Sequence, residues 1–350
     1  MKIAIDCRML NMSGIGSYLK GVLNYILDIE SNQYVLFGNK NELCIYNTYS
    51  NCSIEHVDIP IFSIKELVKF PVNKINTCDC FYSPNYNIPL GIKIPIFSTI
   101  HDVVFLDIPK LTSCIGKWIR YIYLKRSYLI SSKVFTVSEF SKDRIVQHLG
   151  KNKNKIVVTY NGVSEHFYNN KVTTETKNYY LFVGNIKEHK GIKILLSAFA
   201  KLRKIDSKAQ LIIVGDYRNF QTTDKGVQLL INSQMDNDGL VFTGKVDDVT
   251  LKQVISEAKA LIQPSLYEGF GIPPLESMFL GTPVILSDIP VFKELYNDFP
   301  VTFFHVNDAD DLCDKMQHVK DDKIVLSSVQ KHKYSYQNSA RLIIKALTSK

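Results

Sequence analysis

Residues 266–284 read "LYEGFGIPPLESMFLGTPV" and lie between two short apolar runs, "ALIQPS" (260–265) and "PVILS" (283–287). Pro273 and Pro274 fit the first turn of a helix, where a missing N–H costs least. Gly281 and Pro283 then end that helix before the next apolar run. Strand, turn, helix, strand is the repeating unit of a parallel sheet covered by helices. Gly269 and Gly271 let backbone N–H groups converge at the helix mouth, which suits a negatively charged or hydroxyl-rich ligand. Phe270, set between the two glycines, looks exposed. Glu276 lies in the first turns of the helix, where its charge would meet the positive end of the dipole favourably. Glu268 has no such structural reason, because an acid beside an anion site would repel the anion. It makes sense as an acceptor for sugar hydroxyls, or as a stabiliser of positive charge developing on a carbon.

Outward from this stretch the same rhythm fills the chain. The runs "KIAID", "YVLF", "SIEHV", "CFYS", "IPIFSTI", "KVFTV" and "KIVVTY" read as strands of a first half, with helical spacing over 14–29, 113–130 and 139–148. "YYLFVG", "QLIIVG", "GLVFTG", "ALIQPS" and "PVILS" restart the pattern, and three of these five runs end in glycine. The expected fold class is α/β, with two Rossmann-like domains facing each other across a cleft. Residues 169–178 are polar and read as the seam. The expected domains are 1–168, 169–333 and a C-terminal helical segment, 334–350, packing back on the first. At 350 residues two domains are the natural expectation.

Composition narrows the class further. Hydrophobic residues at 45% and charged residues at 22% describe a globular chain, not a disordered one. No apolar run has the length of a membrane span, and "MKIAIDCRML" meets an acid at Asp6, too early for a signal peptide. Seven scattered cysteines without C-x-x-C spacing point to reduced thiols and the cytoplasm, with no metal site. Residues 1–165 hold 19 Lys+Arg against 13 Asp+Glu, and residues 166–350 hold 23 against 21. The first half is therefore the basic one, and it admits peripheral contact with the inner face of an anionic membrane. No nucleic-acid partner is expected. The cations of "KWIRYIYLKRSYLI" (117–130) scatter around a helix, which reads as partly buried with snorkelling cations, not as a membrane blade.

In parallel sheets ligands gather at the carboxyl ends of strands. "NMSGIGSYLKGVL" follows the first strand there; Gly14 and Gly16 allow close backbone approach, although the third glycine of a dinucleotide fingerprint is missing. "STIHDVVFL" sets His101 and Asp102 at another strand end, as a polar or catalytic pair or as structural loop residues. "YSPNYNIPL" (82–90) adds polar and aromatic groups suited to a sugar. "VGNIKEHKG" places Asn185, Lys187, His189 and Lys190 before a helix, a turn suited to a diphosphate.

Taken in this order, these stretches resemble the retaining glycosyltransferases of family 4, whose E-x7-E motif "EGFGIPPLE" matches and whose fold is GT-B. "IDCRML…SGIGSY", "YSPNYNIPL", "STIHDVVFL", "VSEFSKDRI", "YNGV", "VGNIKEHKG" and "FTGKVDD" carry the resemblance from residue 3 to about 290. It implies that a nucleotide-diphosphate sugar is bound mainly by the second domain. Glu276 would hold the ribose, Glu268 would face the donor sugar, and backbone near Gly269, Phe270, Gly271 and Ile272 would contact sugar and phosphate. Lys190 would hold the diphosphate, Gly16 would close over it, His101 would approach the transferred sugar, and Val246 would lie beside the base. Many members carry arginine where Asn185 stands, and Lys187 is the nearest substitute.

The resemblance implies transfer of a hexose from a UDP-, GDP- or dTDP-sugar to a hydroxyl of a glycan, glycolipid or glycoprotein, as in surface polysaccharide synthesis. Transfer would retain the anomeric configuration and require no metal or other cofactor, with cations and helix dipoles assisting diphosphate departure. Closure of the two domains would exclude water. Asp308-Ala309-Asp310 matches metal-binding spacing but reads as a helix start. Two alternatives share the fold: a nucleotide-sugar 2-epimerase, which needs no acceptor, and a non-catalytic nucleotide-sugar binding protein.

Overall fold

A computed structural model of the chain describes residues 1–168, 176–215, 239–320 and 322–349. The short β-branched runs form two all-parallel sheets. The first contains β1 (Lys2–Asp6), β2 (Gln33–Gly38), β3 (Cys52–His56), β4 (Cys80–Ser83), β5 (Ile96–Thr99), β6 (Lys133–Thr136) and β7 (Ile156–Val158). The second contains β8 (Tyr179–Val183), β9 (Gln210–Val214), β10 (Leu240–Gly244), β11 (Ala260–Gln263), β12 (Val284–Ser287) and β13 (Val301–Phe304). The helices bearing on the seam, the site and the surface are α1 (Ile15–Leu27), α2 (Cys114–Ile130), α3 (Glu139–Leu149), α4 (Glu165–Tyr168), α5 (Ile192–Ile205), α6 (Asp248–Glu257), α7 (Ile272–Phe279), α8 (Ala309–His318) and α9 (Tyr336–Thr348).

The chain forms two units, Met1–Gly162 with Tyr334–Lys350, and Val163–Lys333. The boundary falls before α4, whereas linker polarity had put it at 168/169. Packing decides the difference: Tyr168 meets the Phe279 ring edge-on at 4.8 Å, and Lys252 Nζ donates to the His166 carbonyl at 2.5 Å. Both contacts tie α4 to the second unit. Most of the polar stretch itself, 169–175, lies outside the described residues.

In the first unit the strand order is β3-β2-β1-β4-β5-β6-β7, so Ile3 is flanked by Tyr34 on one side and Cys80 on the other. Helix α9 docks on α1 because Gly21 has no side chain; a Cβ there would stand 2.4 Å from the Tyr336 ring. Ser339 Oγ donates to the Tyr160 carbonyl at 2.6 Å, and Tyr18 meets Tyr336 edge-on. Helix α2 buries only Leu124, Ser127 and Tyr128, and it turns several large apolar side chains outward. The reading of α2 as a partly buried helix missed this apolar outer face. The cause is tertiary: the helix packs through one narrow stripe.

In the second unit the order is β10-β9-β8-β11-β12-β13. The sequence analysis did not include β13. It is a four-residue edge strand in which only Phe304 is fully buried, so its apolar signal is short. Asp308 caps α8 by accepting from Asp310 N–H and Asp311 N–H at 2.9 and 3.0 Å. The glycines ending β8, β9 and β10 pack backbone to backbone. Gly184 N–H donates to Val214 O at 2.9 Å, and Gly215 N–H donates to Gly244 O at 3.0 Å. A Cβ on Gly215, at φ 152°, would lie 2.1 Å from the Gly184 carbonyl. Gly215→Ala should therefore cost ~2–4 kcal/mol, through strain and overpacking together. Thermal denaturation followed by circular dichroism checks this as a lowered midpoint.

Candidate active site

The order of the second sheet reverses between β8 and β11: β9 lies beyond β8 on one side, β12 beyond β11 on the other. Loops leaving the carboxyl ends of such a pair diverge and open a crevice. Here they are residues 184–191, after β8, and 264–271, after β11. Two contacts lock them together. Leu266 N–H donates to the His189 carbonyl at 2.8 Å. Gly191, at φ 70°, lies so close beneath Pro264 that a Cβ would sit 1.9 Å from its carbonyl oxygen.

This locking brings Lys190 to Glu268. The ammonium donates to both carboxylate oxygens, at 2.6 and 2.7 Å. Ser265 Oγ donates to Oε1 at 2.8 Å, and Gln263 Nε2 reaches the same oxygen at 3.2 Å. Glu268 is 8% exposed. Burial alone would raise its pKa, but the Lys190 charge, its hydrogen bonds and that of Ser265 outweigh burial and hold it below the ordinary carboxylate value. Glu268 is thus a buried carboxylate that stays charged. Gln263 and Ser265 were not singled out in the sequence. Ser265 precedes Glu268 by three residues, a spacing normally read as helix capping, and nothing marks Gln263.

The rest of the lysine loop holds Asn185, Lys187, Glu188 and His189. His189 has its pKa lowered to about 4, first by burial and then by Lys190 and Lys187, against the opposing effect of Glu268. It is therefore neutral, and its Nδ1 is buried without a partner among the described residues. Lys187 is exposed and Asn185 half-buried on the same loop. Lys190, not Lys187, is the cation that reaches Glu268.

At the mouth of α7, Phe270 is buried and not exposed, packing edge-on to Tyr296 at 6.3 Å. Tyr296 Oη donates to the Gly271 carbonyl at 2.7 Å. Gly271, at φ 89°, has the Phe292 ring where a Cβ would point. The turn is thus clamped from behind by aromatic rings. Pro273 and Pro274 remove two of the N–H groups that a helix start leaves unbonded, whereas Ile272, the first helical residue, keeps its own. Glu276 is half-buried, and its pKa is pushed up to about 8, first by burial and then by the charge of Asp248. Val246 lies two residues before Asp248, whose charge acts on Glu276. The two glutamates carry opposite preferences: Glu268 is held charged and Glu276 is held protonated.

In the first unit the order reverses between β1 and β4, so the loops after β1, β4 and β5 emerge side by side. Gly16 is tied into its own loop. Its N–H donates to Met12 O at 2.8 Å, and a Cβ would meet Leu10 O at 2.4 Å. Gly14, at φ 73°, has open space where a Cβ would be. His101 Nε2 lies 2.9 Å from the Pro84 carbonyl. A carbonyl only accepts, so this nitrogen carries the proton and Nδ1 remains an acceptor. Burial lowers the His101 pKa to about 4, with the Pro84 bond opposing, and Tyr18 stands edge-on at 5.1 Å. Asp102 Oδ1 accepts from Val104 N–H at 3.1 Å and starts the next helical turn.

A buried cluster missed in the sequence lies beside this loop set. Arg8 binds Asp6 at 2.7 Å and Glu66 at 3.2 Å, and Asn87 Nδ2 donates to Glu66 at 2.5 Å. Asn85 Nδ2 and Asn87 Oδ1 remain buried without partners among the described residues. Both belong to the "YSPNYN" segment that had suggested a sugar site.

Residues 163–341 match the family model of the glycosyl transferases group 1, and residues 79–167 match that of glycosyltransferase family 4. The chain belongs to the group 1 glycosyl transferases. It is similar to the O-antigen chain mannosyltransferase RfbU of Salmonella typhimurium, 36% identical over 67% of this chain and 61% of that one. Similarity to the O-antigen chain mannosyltransferase B of Escherichia coli is 25% over 62% of this chain and 59% of that one. The chain thus matches about three fifths of the length of these relatives. The crystal structure of Anabaena Alr3699/HepE with UDP and glucose superposes with a TM-score of 0.75 at 18% identity, covering 100% of both chains. The lipopolysaccharide outer core galactosyltransferase WaaB does so at 0.62 and 17%, covering 99% of each. These likenesses establish the GT-B fold.

The raised pKa of Glu276 makes stability depend on pH. Its protonated form is favoured in the folded chain, so that stabilisation is complete below the ordinary value of 4.5 and is lost as pH rises through about 8. Glu276→Gln keeps a neutral side chain throughout. Urea denaturation of both proteins should show the variant gaining on the wild type between these pH values and levelling off above them.

Proposed function

We propose that the chain is a retaining glycosyltransferase that moves a hexose from a nucleotide-diphosphate sugar to a hydroxyl of a glycan, glycolipid or glycoprotein, in surface polysaccharide synthesis. The observation that carries this reading is the buried Lys190–Glu268 pair at the strand-order reversal, next to the Gly-Phe-Gly turn that opens α7. The names of RfbU and of mannosyltransferase B favour mannose as the hexose. UDP in the HepE structure supports a nucleotide-linked donor.

Chemistry follows from the charges. Breaking the bond from C1 to the diphosphate oxygen leaves negative charge on the phosphates. Lys190, Lys187 and the Ile272 N–H offset that charge without a metal in the reading proposed here. An arriving diphosphate would compete with Glu268 for Lys190, freeing carboxylate oxygens for sugar hydroxyls or for positive charge at C1. His101 is a weak base with a pKa near 4, suited to accepting a hydrogen bond at Nδ1. Retention then follows if the acceptor hydroxyl attacks on the face the diphosphate leaves, its proton passing to the departing phosphate oxygen. Glu276 as a carboxylate would accept from both ribose hydroxyls. No described helix is long and apolar enough to cross a membrane. Action in the cytoplasm, with peripheral contact at the inner face of a membrane, completes the proposal.

A thermal-shift screen of UDP-, GDP- and dTDP-sugars should raise the midpoint for one donor class, and the absence of any shift would overturn the reading. Glu268→Gln should lower transfer of labelled sugar ~100-fold or more while the donor-induced shift survives. Lys190→Ala should weaken nucleotide-diphosphate binding ~10-fold by calorimetry, as loss of a charge-assisted phosphate contact requires. Unchanged affinity would move the phosphate site elsewhere.

A further inference from the structure

The two oxygens of Glu268 are held by different means. Oε2 accepts from Lys190 alone among the described residues, at 2.7 Å. Oε1 accepts from Lys190 at 2.6 Å, from Ser265 Oγ at 2.8 Å and from Gln263 Nε2 at 3.2 Å. The last two donors also meet each other, with Gln263 Nε2 at 3.1 Å from Ser265 Oγ. Chemistry fixes the direction of every bond in this triangle. A carboxylate only accepts, so Ser265 gives its single hydroxyl hydrogen to Glu268. The serine oxygen then takes a hydrogen from the Gln263 amide, whose second hydrogen goes to the carboxylate.

The triangle is kept at a cost. Gln263, the last residue of β11, is 1% exposed, and Ser265 is fully buried. The other end of the Gln263 amide, Oε1, is buried without a partner among the described residues. An orphaned amide oxygen weakens a core, and a methionine of similar shape would avoid it. Turning the amide over brings no relief, since its oxygen would then face the carboxylate. Ser287 Oγ, on β12, donates to the Ser265 carbonyl, so the backbone beneath the hydroxyl is tied to the neighbouring strand.

We infer that Ser265 and Gln263 are positioning residues that hold Glu268 by Oε1 and leave Oε2 as the oxygen offered to the donor sugar. The inference rests on the transferase reading proposed above and adds which oxygen acts and what aims it. A diphosphate that draws Lys190 away strips Oε2 of its partner, whereas Oε1 keeps two. Those two bonds stop the carboxylate from swinging, and they favour its charged form against burial. Charge held at a fixed place is what stabilising a cationic C1 requires.

The test uses the UDP-, GDP- or dTDP-sugar that raises the unfolding midpoint, with transfer read as nucleoside diphosphate released. Ser265→Ala should lower kcat ~10-fold or more and leave KM for the donor unchanged, as loss of a bond to a charged group needed in the transition state requires. Gln263→Met should also lower kcat, yet unfold no earlier than the wild type, because it removes the orphaned oxygen. In a Glu268→Gln background, Ser265→Ala should cost nothing further, since the serine acts through the carboxylate. Undiminished transfer by Ser265→Ala, or losses that add in the double variant, would overturn the inference while the transferase reading stands. So would a lowered midpoint of Gln263→Met with transfer intact, which marks a purely structural amide. Wild-type transfer by Glu268→Gln would overturn the role of Glu268 itself, and the positioning with it.

Discussion

Gly191 has no side chain, and the Pro264 carbonyl occupies the space where one would begin. The rest of the candidate site depends on that approach. Because the two loops touch there, the lysine before Gly191 reaches the carboxylate four residues after Pro264. The left-handed backbone at Gly191 then lets the chain turn directly into α5. A larger residue would force the loops apart and separate Lys190 from Glu268, the one charge pair that ties the lysine loop to the glutamate loop among the described residues.

Electrostatics divides the two glutamates of "EGFGIPPLE" in a way their spacing alone does not. Both sit where water is scarce, and burial raises the pKa of each. Glu268 has an ammonium on both oxygens and a serine hydroxyl, so the balance falls to the charged form. Glu276 has Asp248 as its influential neighbour, and the balance falls to the protonated form. A carboxylate poised near neutrality takes its charge only when a partner rewards it, such as a pair of hydroxyl donors. In the first unit burial also fixes His101 as a neutral group, which makes it a hydrogen-bonding side chain and not a proton carrier near pH 7.

Much of the architecture was legible because strand and helix periods are local. Twelve of the thirteen strands among the described residues correspond to apolar runs, and the helix starts at Pro273 and Asp308 follow from residue chemistry alone. What escaped was non-local. Strand β13 is short and at an edge, the α4 boundary is set by Tyr168 on Phe279, and Phe270 points inward because Tyr296 and Phe292 lie behind it. Gly16 gives its N–H to Met12 O and has Leu10 O where a side chain would begin, contacts within its loop that glycine spacing does not show. The Arg8–Glu66–Asn87 cluster joins residues 58 and 79 positions from Arg8, beyond any pattern that spacing can show.

By itself the sequence determined the fold class, the two-unit division and the residue types available at each strand end, since these depend on periodicity, turn chemistry and composition. Only the tertiary structure decided which of them meet. Strand order is a property of the whole sheet, and it is the reversal between β8 and β11 that sets Lys190 against Glu268. Likewise, the identities of Ile115, Trp118 and Ile122 are local facts, whereas their exposure depends on where α2 finds its packing partners.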